Sequence, residues 1–198
     1  FPTAGASVAA WTPKGELKPI ILMAHMDTVH KEKCTEIFIR NKNELYSPQG
    51  IGGDDRCGIY MIMQIIKQKK CSVLFTEDEE IGGIGANKFI KTQLARELIG
   101  KFNYIIELDR KGNRDAVFYE CDNPEFTKFV TKEYFKEDFG SYSDISDIAP
   151  FLEAAAVNLS SGYYKAHTTD EYINVSEMET ILQEVIKLIA RTTEEDKF

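Results

Sequence analysis

The chain has 198 residues, 43% of them hydrophobic and 28% charged, with a net charge of −8. That length supports one compact domain with a real core, and the acidic balance, without a Lys/Arg cluster, argues against nucleic acid or an anionic membrane surface as partner. No apolar run reaches the roughly 18 residues of a membrane span, and Cys34, Cys57, Cys71 and Cys121 form no C-x-x-C pair, which points to a reducing, cytoplasmic setting rather than a disulfide framework.

"SVAAW" (7–11) and "PIILMAHM" (19–26) read as strands separated by the turn "TPKGELK" (12–18). "IFIR" and "ELYS" (37–40, 44–47) bracket "NKN" as a hairpin. Ile59, Ile62, Met63 and Ile66 lie at i, i+3, i+4, i+7 and predict a helix from about Arg56. "CSVLFT" (71–76) predicts a strand, and Ala86, Phe89, Ile90 and Leu94 a further helix. "NYIIELD" (103–109) and "AVFYE" (116–120) are strand candidates. Asn123 before Pro124 starts a helix over 123–136, and "AAAVNLS" (154–160) is another strand. Ser176 and Glu179 read as a capping box for a final helix striped by Met178, Ile181, Leu182, Val185, Ile186 and Ile189. Strands alternating with helices, plus a hairpin, predict a three-layer α/β/α sandwich with a mixed central sheet. Residues 1–198 read as a single catalytic domain, and a chain opening on Phe1 reads as lacking its natural N-terminus.

The polar residues that break this pattern fall at strand ends and are of one chemical kind. His25 and Asp27 follow the second strand, Asp54 and Asp55 follow the hairpin, and Asp78, Glu79 and Glu80 follow strand 71–76. Asp109 ends strand 103–109, and His167 follows strand 154–160. In open α/β sheets ligands bind beyond the carboxyl ends of the strands. Carboxylates gathered there repel one another unless a cation compensates. Imidazole plus carboxylate, without thiolate, suits zinc, with cobalt or manganese as alternatives. Two histidines and three or more carboxylates exceed one tetrahedral zinc and match two cations roughly 3.5–4 Å apart sharing one carboxylate. Alternation along a strand puts Asp27 on the side of His25, where it can hold the second ring nitrogen. Each piece has a plainer reading: "DD" as a helix cap, "EDEE" as a solvated turn, His30 as a loop residue, and Ser141, Ser143 and Asp144 of "GSYSDISD" as a polar loop rather than substrate contacts.

Together, "HMDTV", "GGDDRCG", "TEDEEIGGIGA", "ELDRKG" and "AHTTDE" resemble, in order, the five blocks of the co-catalytic zinc exopeptidases, which include peptidase T, glutamate carboxypeptidases and leucyl aminopeptidases. The resemblance implies that His25 and Asp109 ligate one metal, Glu80 and His167 a second, and that Asp54 bridges them. It implies Glu79 as general base and Asp27 as the catalytic partner of His25, and a cis peptide between Asp54 and Asp55. Larger relatives insert a lid or dimerisation domain between the fourth and fifth blocks. Here positions 110–166 hold only a helix and strands, which favours a compact aminopeptidase acting on small peptides over a carboxypeptidase. An N-acyl amino acid deacylase is the alternative with the same chemistry, and a silent binding protein or a calcium- or magnesium-binding domain is the alternative without it. Side-chain preference and oligomeric state stay open at this level.

Overall fold

The computed structural model describes residues 6–10, 17–193 and 195–198. In chain order the strands are β1 (Ala6–Ala10), β2 (Leu17–His25), β3 (Phe38–Arg40), β4 (Glu44–Tyr46), β5 (Lys70–Thr76), β6 (Tyr104–Arg110), β7 (Asp115–Val117), β8 (Lys136–Glu137), β9 (Ala155–Ser160), β10 (Tyr163–Tyr164) and β11 (Tyr172–Asn174). The helices are α1 (Gly53–Ile65), α2 (Ile84–Phe89), α3 (Gln93–Glu97), α4 (Pro124–Thr131), α5 (Ile145–Leu152) and α6 (Val175–Arg191). The central sheet has the order β1-β5-β2-β6-β9-β7-β8, and a smaller sheet the order β10-β11-β4-β3. Strands β5, β2, β6 and β9 run parallel, while β1 and β7 are antiparallel to β5 and β9, so the sheet is mixed. From β2 the chain moves out to β5 and then returns to β6 on the opposite flank. This reversal opens a crevice beyond the carboxyl ends of β2 and β6.

The alternation of β2 explains the three layers. Ile20, Leu22 and Ala24 pack with Met61, Ile62 and Ile65 of α1 and Ile181, Leu182 and Val185 of α6. Ile21 and Met23 face the other way, onto Ala86 and Phe89 of α2 and Ile145, Ile148 and Leu152 of α5. Each fully buried Ile, Leu, Val, Met or Phe among them contributes roughly 1.5–3 kcal/mol. A strand apolar on both faces is therefore stable only between two helical layers. No helix among the described residues is long and apolar enough to cross a membrane.

Local differences from the sequence reading have local causes. The helix expected around Ala86–Leu94 is two: Thr92 accepts from Ala95 N at 3.1 Å and caps α3 separately. Strand 116–120 stops at Val117, because Tyr119 and Glu120 turn left-handed with φ of 52° and 62°. The helix expected over 123–136 ends at Thr131, since Lys136 N bonds Arg114 O at 2.7 Å and draws the chain alongside β7. The expected Ser176 capping box is absent: Asn174 caps α6 by accepting from Glu177 N at 3.2 Å, and Ser176 Oγ instead accepts from Asn43 Nδ2. Most of the turn expected over 12–18, and Trp11, lie outside the described residues.

Candidate active site

β2 delivers His25 to the crevice with only 1% exposure. Its Nε2 faces Asp54 Oδ1 at 3.0 Å and Asp109 Oδ1 at 3.5 Å. The other oxygen of Asp54, Oδ2, lies 3.2 Å from His167 Nε2, which is 3.0 Å from Glu80 Oε2. The side chains thus run Asp109, His25, Asp54, His167, Glu80, with Asp54 in the middle. Asp54 precedes a cis peptide to Asp55, and regular helical geometry starts only after Asp55. His167 adopts a left-handed φ of 64° and is 58% exposed, so the His25 side of the row is buried and the His167 side is the one open to solvent.

The row is anchored by groups around it. Asp27 Oδ1 stands 3.3 Å from His25 Nδ1, close enough to pair electrostatically though not aligned as a hydrogen bond. Its two oxygens accept from the backbone N–H groups of Glu79 and Glu80, both at 3.2 Å. Asp27 therefore ties the end of β2 to the turn after β5. Asn158 of β9 accepts from Asp109 N at 2.9 Å and donates to Asp109 O at 3.2 Å. Tyr163 OH donates to Asp109 O at 3.3 Å. Asp55 points elsewhere: its oxygens accept from His25 N (3.2 Å) and Gly58 N (3.0 Å). Although its carboxylate also lies near His25 and Asp109, both its oxygens are engaged by the backbone, and Asp54 is the carboxylate that meets both imidazoles.

The electrostatics follow from burial and crowding. Burial disfavours a charged His25, but Asp109, Asp27 and Asp54 override it and raise the ring's pKa far above the usual imidazole range. Burial also opposes ionised Asp27, yet His25 and the N–H groups of Glu79 and Glu80 hold it down at about 2. Burial, then the charge of Asp109, pushes Glu79 up to about 8. Asp109 is pushed up to about 7, chiefly by burial. Such crowding is what a cation relieves. Two observations fit one. Glu80 Oε1 is buried with no hydrogen-bond partner. The imidazole–carboxylate separations of 3.0–3.5 Å also match the roughly 3.3 Å edge of a tetrahedron with 2.0–2.1 Å bonds to zinc. The donor set suits a divalent metal, zinc foremost.

The cleft beside the row has a volume of about 360 Å³ and is lined by Glu79, Tyr119, Tyr142, Tyr163 and Lys165 together with Asp54, Asp109 and His167. Glu79 faces this space, and among the described residues it forms no ion pair. Ser143 does not reach it. It is 1% exposed and donates to Glu107, with Asn158 Nδ2 donating to it at 3.1 Å. Ser141 lines a neighbouring cavity of about 460 Å³, and Asp144 is fully buried. His30 does not join the row but pairs with Glu171 at 2.8 Å. Sequence reasoning missed Asn158, Glu107, Tyr163 and Glu171. Asn158 and Glu107 had a signal, a polar residue inside an otherwise apolar strand, whereas Glu171 is one acid among several in its loop.

A mixed sheet with imidazoles and carboxylates gathered at its carboxyl edge defines a metal-dependent hydrolase of the zinc-exopeptidase class. The chain matches the model of peptidase family M28 over residues 7–172 and belongs to that family, a family of metallopeptidases. No curated protein sequence matches it. Among solved structures it is similar to a tripeptidase from Staphylococcus aureus, with 14% identity, a TM-score of 0.71, and coverage of 94% of this chain and 85% of that one. Aminopeptidase PepT from Bacillus cereus gives 14%, 0.69, 93% and 84%. A leucine aminopeptidase precursor from Bacteroides thetaiotaomicron gives 15%, 0.64, 95% and 77%. At these identities the likeness is one of fold.

Proposed function

We propose that the chain is a co-catalytic aminopeptidase that removes residues from small peptides with two divalent cations, zinc first. His25, Asp54 and Asp109 would hold one cation, and Asp54, Glu80 and His167 the other. The observation that carries this reading is the two-sided placement of Asp54, whose oxygens meet a different imidazole each. When bound, the cations would polarise the scissile carbonyl and acidify a water.

The protein's own groups do the rest. Glu79 lines the cleft. With a proton affinity raised by burial and by Asp109, its carboxylate accepts the proton of the attacking water and returns it to the leaving amine nitrogen. Asp27 keeps His25 oriented and holds the backbone of Glu79 and Glu80, so base and ligand stay on adjacent residues facing different ways. The family match and the fold shared with an aminopeptidase and a tripeptidase support an aminopeptidase. Four free cysteines are consistent with a cytoplasmic setting.

The test is metal analysis together with turnover of the zinc-loaded chain on aminoacyl amides, dipeptides, tripeptides and N-acyl amino acids, with a chelator control. Two equivalents of zinc and chelator-sensitive cleavage requiring a free amine are expected. Cleavage of N-acyl amino acids alone would make the chain a deacylase, and fewer than two equivalents would end the two-cation reading.

A further inference from the structure

Three loops meet at one buried carboxylate outside the ligand row. Glu171 is 0% exposed. Its Oε2 accepts from His30 Nε2 at 2.8 Å and from Gly52 N at 2.9 Å, and its Oε1 accepts from Asp54 N at 3.0 Å. Each loop also carries a member of the row. His30 lies on the segment leaving His25, Gly52 and Asp54 on the approach to α1, and Glu171 four residues beyond His167. The packing leaves little slack. A Cβ on Gly50 would stand 2.1 Å from His30 Nδ1, and one on Gly53 would stand 2.8 Å from Tyr163 Cβ. A buried N–H needs only one acceptor, which a backbone carbonyl would supply. Here a whole carboxylate, held by an imidazole from another loop, is spent on the backbone of Asp54 and its neighbour Gly52.

We propose that Glu171 and His30 are a positioning pair that fixes the Asp54 backbone against the His167 loop, and thereby sets affinity at the His167 side of the row. This inference rests on the two-cation reading. Asp54 and His167 serve the cation position also held by Glu80. His167 is far more exposed than His25, so of the ligands at this position it has the least surrounding structure to keep it in place. His25 and Asp109 are braced independently by Asp27, Asn158 and Tyr163.

The experiment titrates zinc into His30→Ala, His30→Gln and Glu171→Gln against a competing chelator, beside the wild type, with kcat, KM and the melting temperature of the metal-free protein. Removing a group that orients a ligand weakens metal binding roughly 10–100-fold. In His30→Ala the second equivalent is expected to weaken by that factor while the first is little changed, with kcat falling more than KM shifts. His30→Gln, whose amide can donate from near the Nε2 position, should recover most of the loss. Glu171→Gln keeps the side chain's shape and an acceptor for Asp54 N, and should lie between. Wild-type zinc affinity and kcat in His30→Ala would overturn the pair's role and leave the peptidase reading intact. So would a lowered metal-free melting temperature with normal affinity for the second equivalent. A wild-type chain binding no zinc would overturn both.

Discussion

Glu79→Gln separates the proposed base from everything else in the cleft. The glutamine keeps the size of the side chain, and the main-chain N–H at 79 still bonds Asp27 Oδ1, so the turn and its neighbour Glu80 stay in place. What disappears is the carboxylate proposed to take the proton. General-base contributions run about 10²–10⁴-fold, or about 3–5 kcal/mol of barrier at about 1.4 kcal/mol per factor of ten. Zinc content should stay at the wild-type value while kcat falls by that factor.

Stability should move the other way. Burial and the charge of Asp109 raise Glu79 from the ordinary 4.5 to about 8. A carboxyl raised in the folded chain leaves stability untouched below its unfolded value. It destabilises increasingly between the two values, and fully above the folded one. At about 1.4 kcal/mol per pH unit, tempered by partial exposure, the wild-type side chain costs the metal-free protein on the order of 1–4 kcal/mol at pH 8. Chelator-treated Glu79→Gln should therefore melt above chelator-treated wild type at pH 8, with the gap closing as pH falls toward 4.5. Wild-type turnover in the variant, or loss of zinc with the fold intact, would refute the assignment of Glu79 as base.

Asp54→Ala removes the acceptor of both imidazoles and should abolish binding of both zinc equivalents, read by elemental analysis after gel filtration. Stripping the wild type with chelator should lower its melting temperature. Restoring zinc at about a hundredfold excess over its Kd should return about 2.7 kcal/mol for each site filled. Ile106 is fully buried beneath the sheet's α1 face. Ile106→Ala should cost about 2–5 kcal/mol in denaturant unfolding while zinc stoichiometry stays that of the wild type.

The layered fold was legible because its cause is local: β2 is apolar at odd and even positions alike, and α6 carries an unbroken stripe. Boundaries were less so where a distant partner decides them. Nothing near Thr131 announces that residues 136–137 will pair with β7, and Asn43 claims the hydroxyl of Ser176 from 133 positions away. His25, Asp54, Glu80, Asp109 and His167 stood out because polar residues at the ends of apolar strands have few reasons to be there. The groups that brace them did not. Glu171 acts on Asp54 across 117 positions, and its neighbours in the sequence give no hint of the backbone it will meet. Ser143 looked like a residue of the cleft, yet Glu107, hidden in a strand interior, draws it inward.

Synthesis delivers the two rings of the row far apart in time. By the point at which His25 and Asp54 have emerged, β9 and the segment carrying His167 do not yet exist. A growing chain holds one imidazole beside a carboxylate whose other oxygen has nothing to face. On the two-cation reading, competence to grip both ions comes only once residue 167 has been made, and any product ending before it would be left with half a grip.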